Sequence, residues 1–107
     1  MLNSLSSGKI VIELLIANPP TSKCREMIAL FKEAIQGWES FFKIYVVRQG
    51  RVMPTGYRPT RGLVSAFKSR KIPSIIIDGK IAFYQEIPSV PQIREYLQKV
   101  LRQYNIL

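Results

Sequence analysis

The chain has 107 residues, 47% of them hydrophobic, including five Phe, five Tyr and one Trp, which suits one domain around one core and excludes wholesale disorder. Sixteen Lys and Arg against seven Asp and Glu give a net charge of +9. With one Cys and no His, neither a disulfide nor a Cys/His zinc site can form within one chain, and seven scattered carboxylates suggest no oxygen-ligand metal site; no metal and no cofactor is expected.

Residues 1–8 are polar and Ser-rich, a lead-in to a single domain over residues 9–107. The first apolar run is short, is broken by Glu13 and lacks a cleavable-leader pattern. No segment approaches the roughly 20 apolar residues needed to cross a bilayer. The expectation is a soluble, cytoplasmic protein without a membrane role.

Lys9 to Ile16, KIVIELLI, is nearly continuous Ile, Val and Leu, the pattern of a strand covered on both faces. Ala17 to Pro20 breaks it, and Thr21 or Ser22 can cap a helix. Met27, Ile28, Phe31, Ala34, Ile35 and Trp38 then form one apolar stripe, with Cys24 on the same stripe and Gly37 closing it. Phe41 to Val47, FFKIYVV, reads as a second strand. Gln49 to Thr60, with two Gly and two Pro, reads as a long exposed loop. Arg61 to Arg70 carries Leu63, Val64 and Phe67 at helical spacing. Pro73 to Asp78 and Lys80 to Tyr84 read as two strands joined at Asp78-Gly79, a two-residue hairpin signal. Ser89 and Gln92 make a capping box ahead of Ile93, Tyr96, Leu97, Val100, Leu101 and Tyr104, a stripe assigned to core packing, as Trp38 is to a core edge.

The order is β-α-β-α-β-β-α. An early βαβ unit demands a parallel pair and the late hairpin an antiparallel one, so the sheet should be mixed and four-stranded, with helices on both faces.

That order, a Cys at the start of the first helix and the segment KIPSIIIDGKIAFY together resemble the thioredoxin and glutaredoxin superfamily over Lys9 to Tyr104. The resemblance implies a thioredoxin-like α/β fold, with Pro73 as the family's cis-proline facing the redox motif. It also implies substrate contact at Ile72 and Pro73. Where the family has C-x-x-C, this chain reads Thr21-Ser22-Lys23-Cys24. A hydroxyl cannot perform thiol-disulfide exchange, so a two-cysteine cycle is closed to one chain. The buried carboxylate of the thioredoxin branch falls at Leu15, and Glu13 lies two residues earlier on the same strand face.

Two readings of Cys24 follow. The positive end of the helix, Lys23 and Arg25 favour thiolate, which makes Cys24 a catalytic candidate with Thr21 beside it, much as Thr serves in the peroxiredoxin T-x-x-C. Its place on the apolar stripe instead marks a small core residue, because burial raises a thiol's pKa. The first reading gives a thioredoxin-like protein acting through a single thiol, by thiol-disulfide or peroxide-related chemistry on a protein or peptide partner. A peptide-binding module built on the same groove is its non-redox form.

Charge supplies the alternative. Residues 40–77 contain Lys43, Arg48, Arg51, Arg58, Arg61, Lys68, Arg70 and Lys71 and no acid, so +8 of the +9 lies there. The basic segment 43–71, with Tyr57 among its arginines, is a candidate surface for nucleic acid or another polyanion, the fold then being only a scaffold.

Overall fold

The run IVIELLI becomes an inner strand of a four-stranded sheet. The computed structural model describes residues 10–50 and 57–107; the expected lead-in over residues 1–8, and Arg51, lie outside them. In chain order come β1 (Ile10–Ile16), α1 (Ser22–Ala34), a 3-10 turn (Glu39–Phe41), β2 (Phe42–Arg48), α2 (Arg61–Lys68), β3 (Ser74–Ile77), β4 (Lys80–Tyr84) and α3 (Val90–Gln103). The strands lie in the order β2-β1-β3-β4. β1 is parallel to β2 and antiparallel to β3, and β3 is antiparallel to β4. The β3–β4 hairpin turns through Asp78 and Gly79, both at positive φ (54° and 80°), as a type I′ turn requires.

Alternation along β1 explains why the strand is apolar on both faces save at Glu13. Ile10, Ile12, Leu14 and Ile16 pack with Met27 and Phe31 of α1 and Ile93, Leu97 and Leu101 of α3. On the opposite face Leu15 joins Val47, Ile76 and, from α2, Leu63 and Ala66. Each face contributes apolar burial at about 25 cal/mol per Å². α2 approaches the sheet at Gly62, where an added Cβ would lie 2.6 Å from the Gly79 carbonyl oxygen and 2.8 Å from Ile76. Ser89 caps α3, and Gln92 returns the bond in a complete capping box.

Three expectations need correction. α1 ends at Ala34 instead of continuing to Trp38, because Gly37 adopts φ +90° and turns the chain into the 3-10 turn. Trp38 still packs at the core edge, with the Arg94 guanidinium stacked 3.9 Å above its ring. Tyr104 falls just past α3 and is 47% exposed; its hydroxyl bonds the Asp78 carboxylate at 2.9 Å, so it ties the hairpin to α3 and leaves the core to its neighbours. The described end of the expected loop is also less exposed than its composition suggests, since Tyr57, Pro59 and Thr60 are half-buried, while residues 51–56 of it lie outside the described residues.

Candidate functional site

β1 delivers the chain to the start of α1, where Thr21 takes an extended conformation (φ −86°, ψ 169°) and caps the helix. Its hydroxyl accepts the Cys24 N–H at 3.2 Å and donates to the Cys24 sulfur at 3.2 Å. The Ala17 N–H donates to the same sulfur at 3.4 Å. Thr21 is exposed, whereas Cys24 is 0% exposed. Burial pushes the thiol up, but the Thr21 hydroxyl, the Ala17 and Thr21 backbone bonds and the Arg25 charge outweigh it and hold the thiol below its ordinary value. Arg25 is itself steadied by a 3.0 Å bond to the Pro20 carbonyl. Thus Cys24 is a core residue by position and favours thiolate by its contacts. The Ala17 donor escapes sequence reading, being a backbone group at a strand end that no side-chain pattern marks.

In the β1–β3 register Leu15 faces Ser74, so Ile72 and Pro73 extend past the end of β1 beside Ala17. The structure thereby brings Cys24, Thr21, Ile72 and Pro73 to one end of the sheet. The Ile72–Pro73 peptide is cis, as is Asn18–Pro19. Pro73 is buried and Ile72 half-buried against the Leu15 cluster. Backbone bonds are already made here: Ile72 N–H to the Arg70 carbonyl at 3.1 Å, and Gln85 N–H to the Pro73 carbonyl at 2.7 Å.

Glu13 is fully buried, but it faces away from the thiol. It points with Leu15 toward α2, where it accepts the hydroxyls of Tyr57 and Thr60 and, at 3.1 Å, the Thr60 N–H. Thr60 is also the α2 cap, its hydroxyl accepting the Leu63 N–H at 3.3 Å. The Tyr57 ring lies against Tyr45 at 4.3 Å between centroids. Burial first, then the bond and charge of Glu13 and the proximity of Tyr45, hold the Tyr57 phenol far above its usual range. Sequence reasoning noticed Glu13 without its partners; Thr60 ahead of Leu63 was the available signal, a cap pointing at a helix start.

The basic segment divides. Arg48, Arg58, Arg61, Lys68 and Arg70 are exposed. Lys71 is half-buried, its ammonium 4.4 Å above the Tyr84 ring. Arg61 and Lys68 share one side of α2 with Pro59, Val64, Ser65 and Ser69, lining a shallow groove of about 560 Å³. Tyr57, occupied by Glu13 and Tyr45, stands apart from it.

Neither a protein-family profile nor a curated protein sequence matches the chain. Among solved structures, it is similar to the thioredoxin domain of a thiol-disulfide oxidoreductase from Bacteroides vulgatus, with TM-score 0.55 and 16% identity over 89% of this chain and 81% of that one. The fold is thioredoxin-like. In that fold Thr21 and Cys24 hold the two ends of the T-x-x-C window at the start of α1. No helix among the described residues is long and apolar enough to cross a membrane.

Proposed function

We propose that this protein is a single-thiol redox protein of thioredoxin-like fold, in which Cys24 reacts and Thr21 positions and polarises its sulfur. The reading rests on one observation: the sulfur accepts both the Thr21 hydroxyl and the Ala17 N–H while it is closed to solvent. Two donors on one sulfur favour the nucleophilic thiolate. Because the sulfur is fully buried, the start of α1 must open for any reactant to reach it, and the Ile72 N–H and the Pro73 carbonyl are already bonded within the chain, which works against a docked peptide strand.

The chemistry that fits is attack of the thiolate on a hydroperoxide. A sulfur–oxygen bond forms, the oxygen–oxygen bond breaks, and the leaving alkoxide or hydroxide takes a proton from water, giving a sulfenic acid and an alcohol or water. An external thiol then condenses with the sulfenic acid, releasing water and forming a mixed disulfide. A second external thiol reduces that disulfide and restores Cys24. The external thiol is the partner this mechanism requires, because the chain has no second Cys.

The test is dimedone trapping after hydroperoxide treatment, read by mass spectrometry of the intact chain. One adduct at Cys24 is expected, lost in Cys24→Ser and formed more slowly in Thr21→Val. Trapping no faster than for a free cysteine would overturn the reading. Reduction of insulin disulfides at a thioredoxin-like rate would contradict the loss of the dithiol cycle.

A further inference from the structure

α2 is eight residues long, and its sides have different tasks. Gly62, Leu63 and Ala66 are buried against the sheet. Arg61, Val64, Ser65 and Lys68, spaced by three and four, occupy the outward side. Val64 is 39% exposed and Phe67, on the flank, 41%. Pro59 and Ser69 complete the shallow groove along this side.

The two cations at the ends of the groove are seven residues apart, about 10 Å at 1.5 Å per residue. Between them lie Val64 and Ser65, with Ser69 just beyond Lys68, short side chains that let another backbone come close. No carboxylate occurs anywhere in residues 40–77, so the segment itself supplies no acid to neutralise these cations. A helix carrying two carboxylates two turns apart has the same spacing of about 10 Å, with its intervening turn free to place an apolar residue on Val64. Nucleic acid fits less well. The aromatic set among the arginines, Tyr57, has its hydroxyl on Glu13 and its ring on Tyr45, and Lys71 is engaged with Tyr84, so among the described residues of the segment the exposed ring beside the α2 cations is Phe67 alone, where successive bases need successive platforms.

We infer that the outward side of α2 is a docking surface for an acidic amphipathic helix of a partner protein, held by Arg61 and Lys68 at its ends and by Val64 and Phe67 between and beside them. The surface is separate from Cys24 and works whether or not the thiol reacts. Arg58 and Arg70, both exposed, add long-range attraction that salt screens.

The experiment is fluorescence anisotropy of three labelled probes titrated with the full chain at about 50 mM salt, where electrostatic association is strong. The probes are a helical glutamate peptide with a leucine stripe, polyglutamate of equal length, and a single-stranded oligonucleotide. The striped peptide should bind about tenfold more tightly than either other probe, each factor of ten being 1.4 kcal/mol. Val64→Ser should erase that preference, and Arg61→Glu with Lys68→Glu should abolish binding. Cys24→Ser should leave the affinity for the striped peptide unchanged. Equal affinity for polyglutamate would reduce the surface to unspecific charge, and tighter binding of the oligonucleotide would make it a nucleic-acid surface. Either result overturns the inference, as does a failure of the striped peptide to bind.

Discussion

Thr60 gives both its backbone N–H and its hydroxyl to the carboxylate of Glu13, 47 residues earlier in the chain. The same hydroxyl caps α2, so a buried charge in the sheet fixes where that helix begins. Glu13→Gln keeps the shape but turns an NH2 group toward the Tyr57 and Thr60 donors. It should destabilise the protein by about 2–3 kcal/mol, the cost of leaving buried polar groups without partners, measured as a lower urea midpoint at unchanged slope.

Tyr57 makes the fold sensitive to alkali. Its phenol is held above the ordinary value of 10.0, by burial first and then by Glu13. The unfolded chain therefore gives up this proton near pH 10 while the folded chain keeps it, and the stabilisation present below that pH is lost as pH rises further. Tyr104, raised chiefly by its bond to Asp78, acts in the same direction. Urea midpoints followed from neutral pH to above pH 10 should fall steeply in the native protein and less steeply in Tyr57→Phe.

Cys24 carries the opposite sign. Its folded value lies below 9.0, so its contribution is fully present above that pH and disappears as pH falls through the folded value. Thiolate ultraviolet absorbance against pH should give a midpoint below 9.0 in the native chain and a higher one in Thr21→Val. Thr21→Val should also lose about 1 kcal/mol of helix capping, and Thr21→Ser should keep both properties.

Gly62→Ala tests the approach of α2 to the hairpin. A Cβ 2.6 Å from the Gly79 carbonyl oxygen requires backbone movement. The expected cost is about 1–3 kcal/mol, seen as a fall in Tm of about 4–8 °C per kcal/mol for a domain of this size. The Cys24 titration should stay where it is, because α2 lies on the other face of the sheet.

Arg94→Lys tests the clasp at the end of α1. One guanidinium nitrogen bonds the Ala34 carbonyl at 2.7 Å and the Gln36 carbonyl at 3.1 Å while the plane stacks on Trp38. Lysine keeps the charge but cannot hold both carbonyls and lie flat on the indole. A loss of about 1–2 kcal/mol is expected by urea denaturation.

The fold was legible because its signals were local. The nearly continuous apolar β1, the Asp78-Gly79 turn and the Ser89–Gln92 box each name an element without reference to distant residues. The site was only half legible. Thr21 and Cys24 are three apart and announce a capped sulfur, whereas the Ala17 amide and the Glu13–Tyr57–Thr60 cluster depend on register and on a loop closing from far along the chain. The placement of Trp38 and Tyr104 within helices failed for a related reason. Both continue a helical period, but Gly37 and the end of α3 stop the helices before the period reaches them.

β1 pairs on both sides, with β2 on one edge and β3 on the other, but the two edges are completed at different times during synthesis. The β1-α1-β2 unit is finished once Arg48 has been made, while the second edge waits for Ser74–Ile77. During that interval IVIELLI presents an open row of backbone donors and acceptors, an invitation to pair with another chain. Glu13 sits in the middle of that run. A charge there discourages intermolecular stacking of the strand, and its partners Tyr57 and Thr60 are synthesised before β3 arrives to close the edge. The carboxylate that anchors α2 in the finished protein thus stands at the point of an open strand where a charge opposes pairing with another chain.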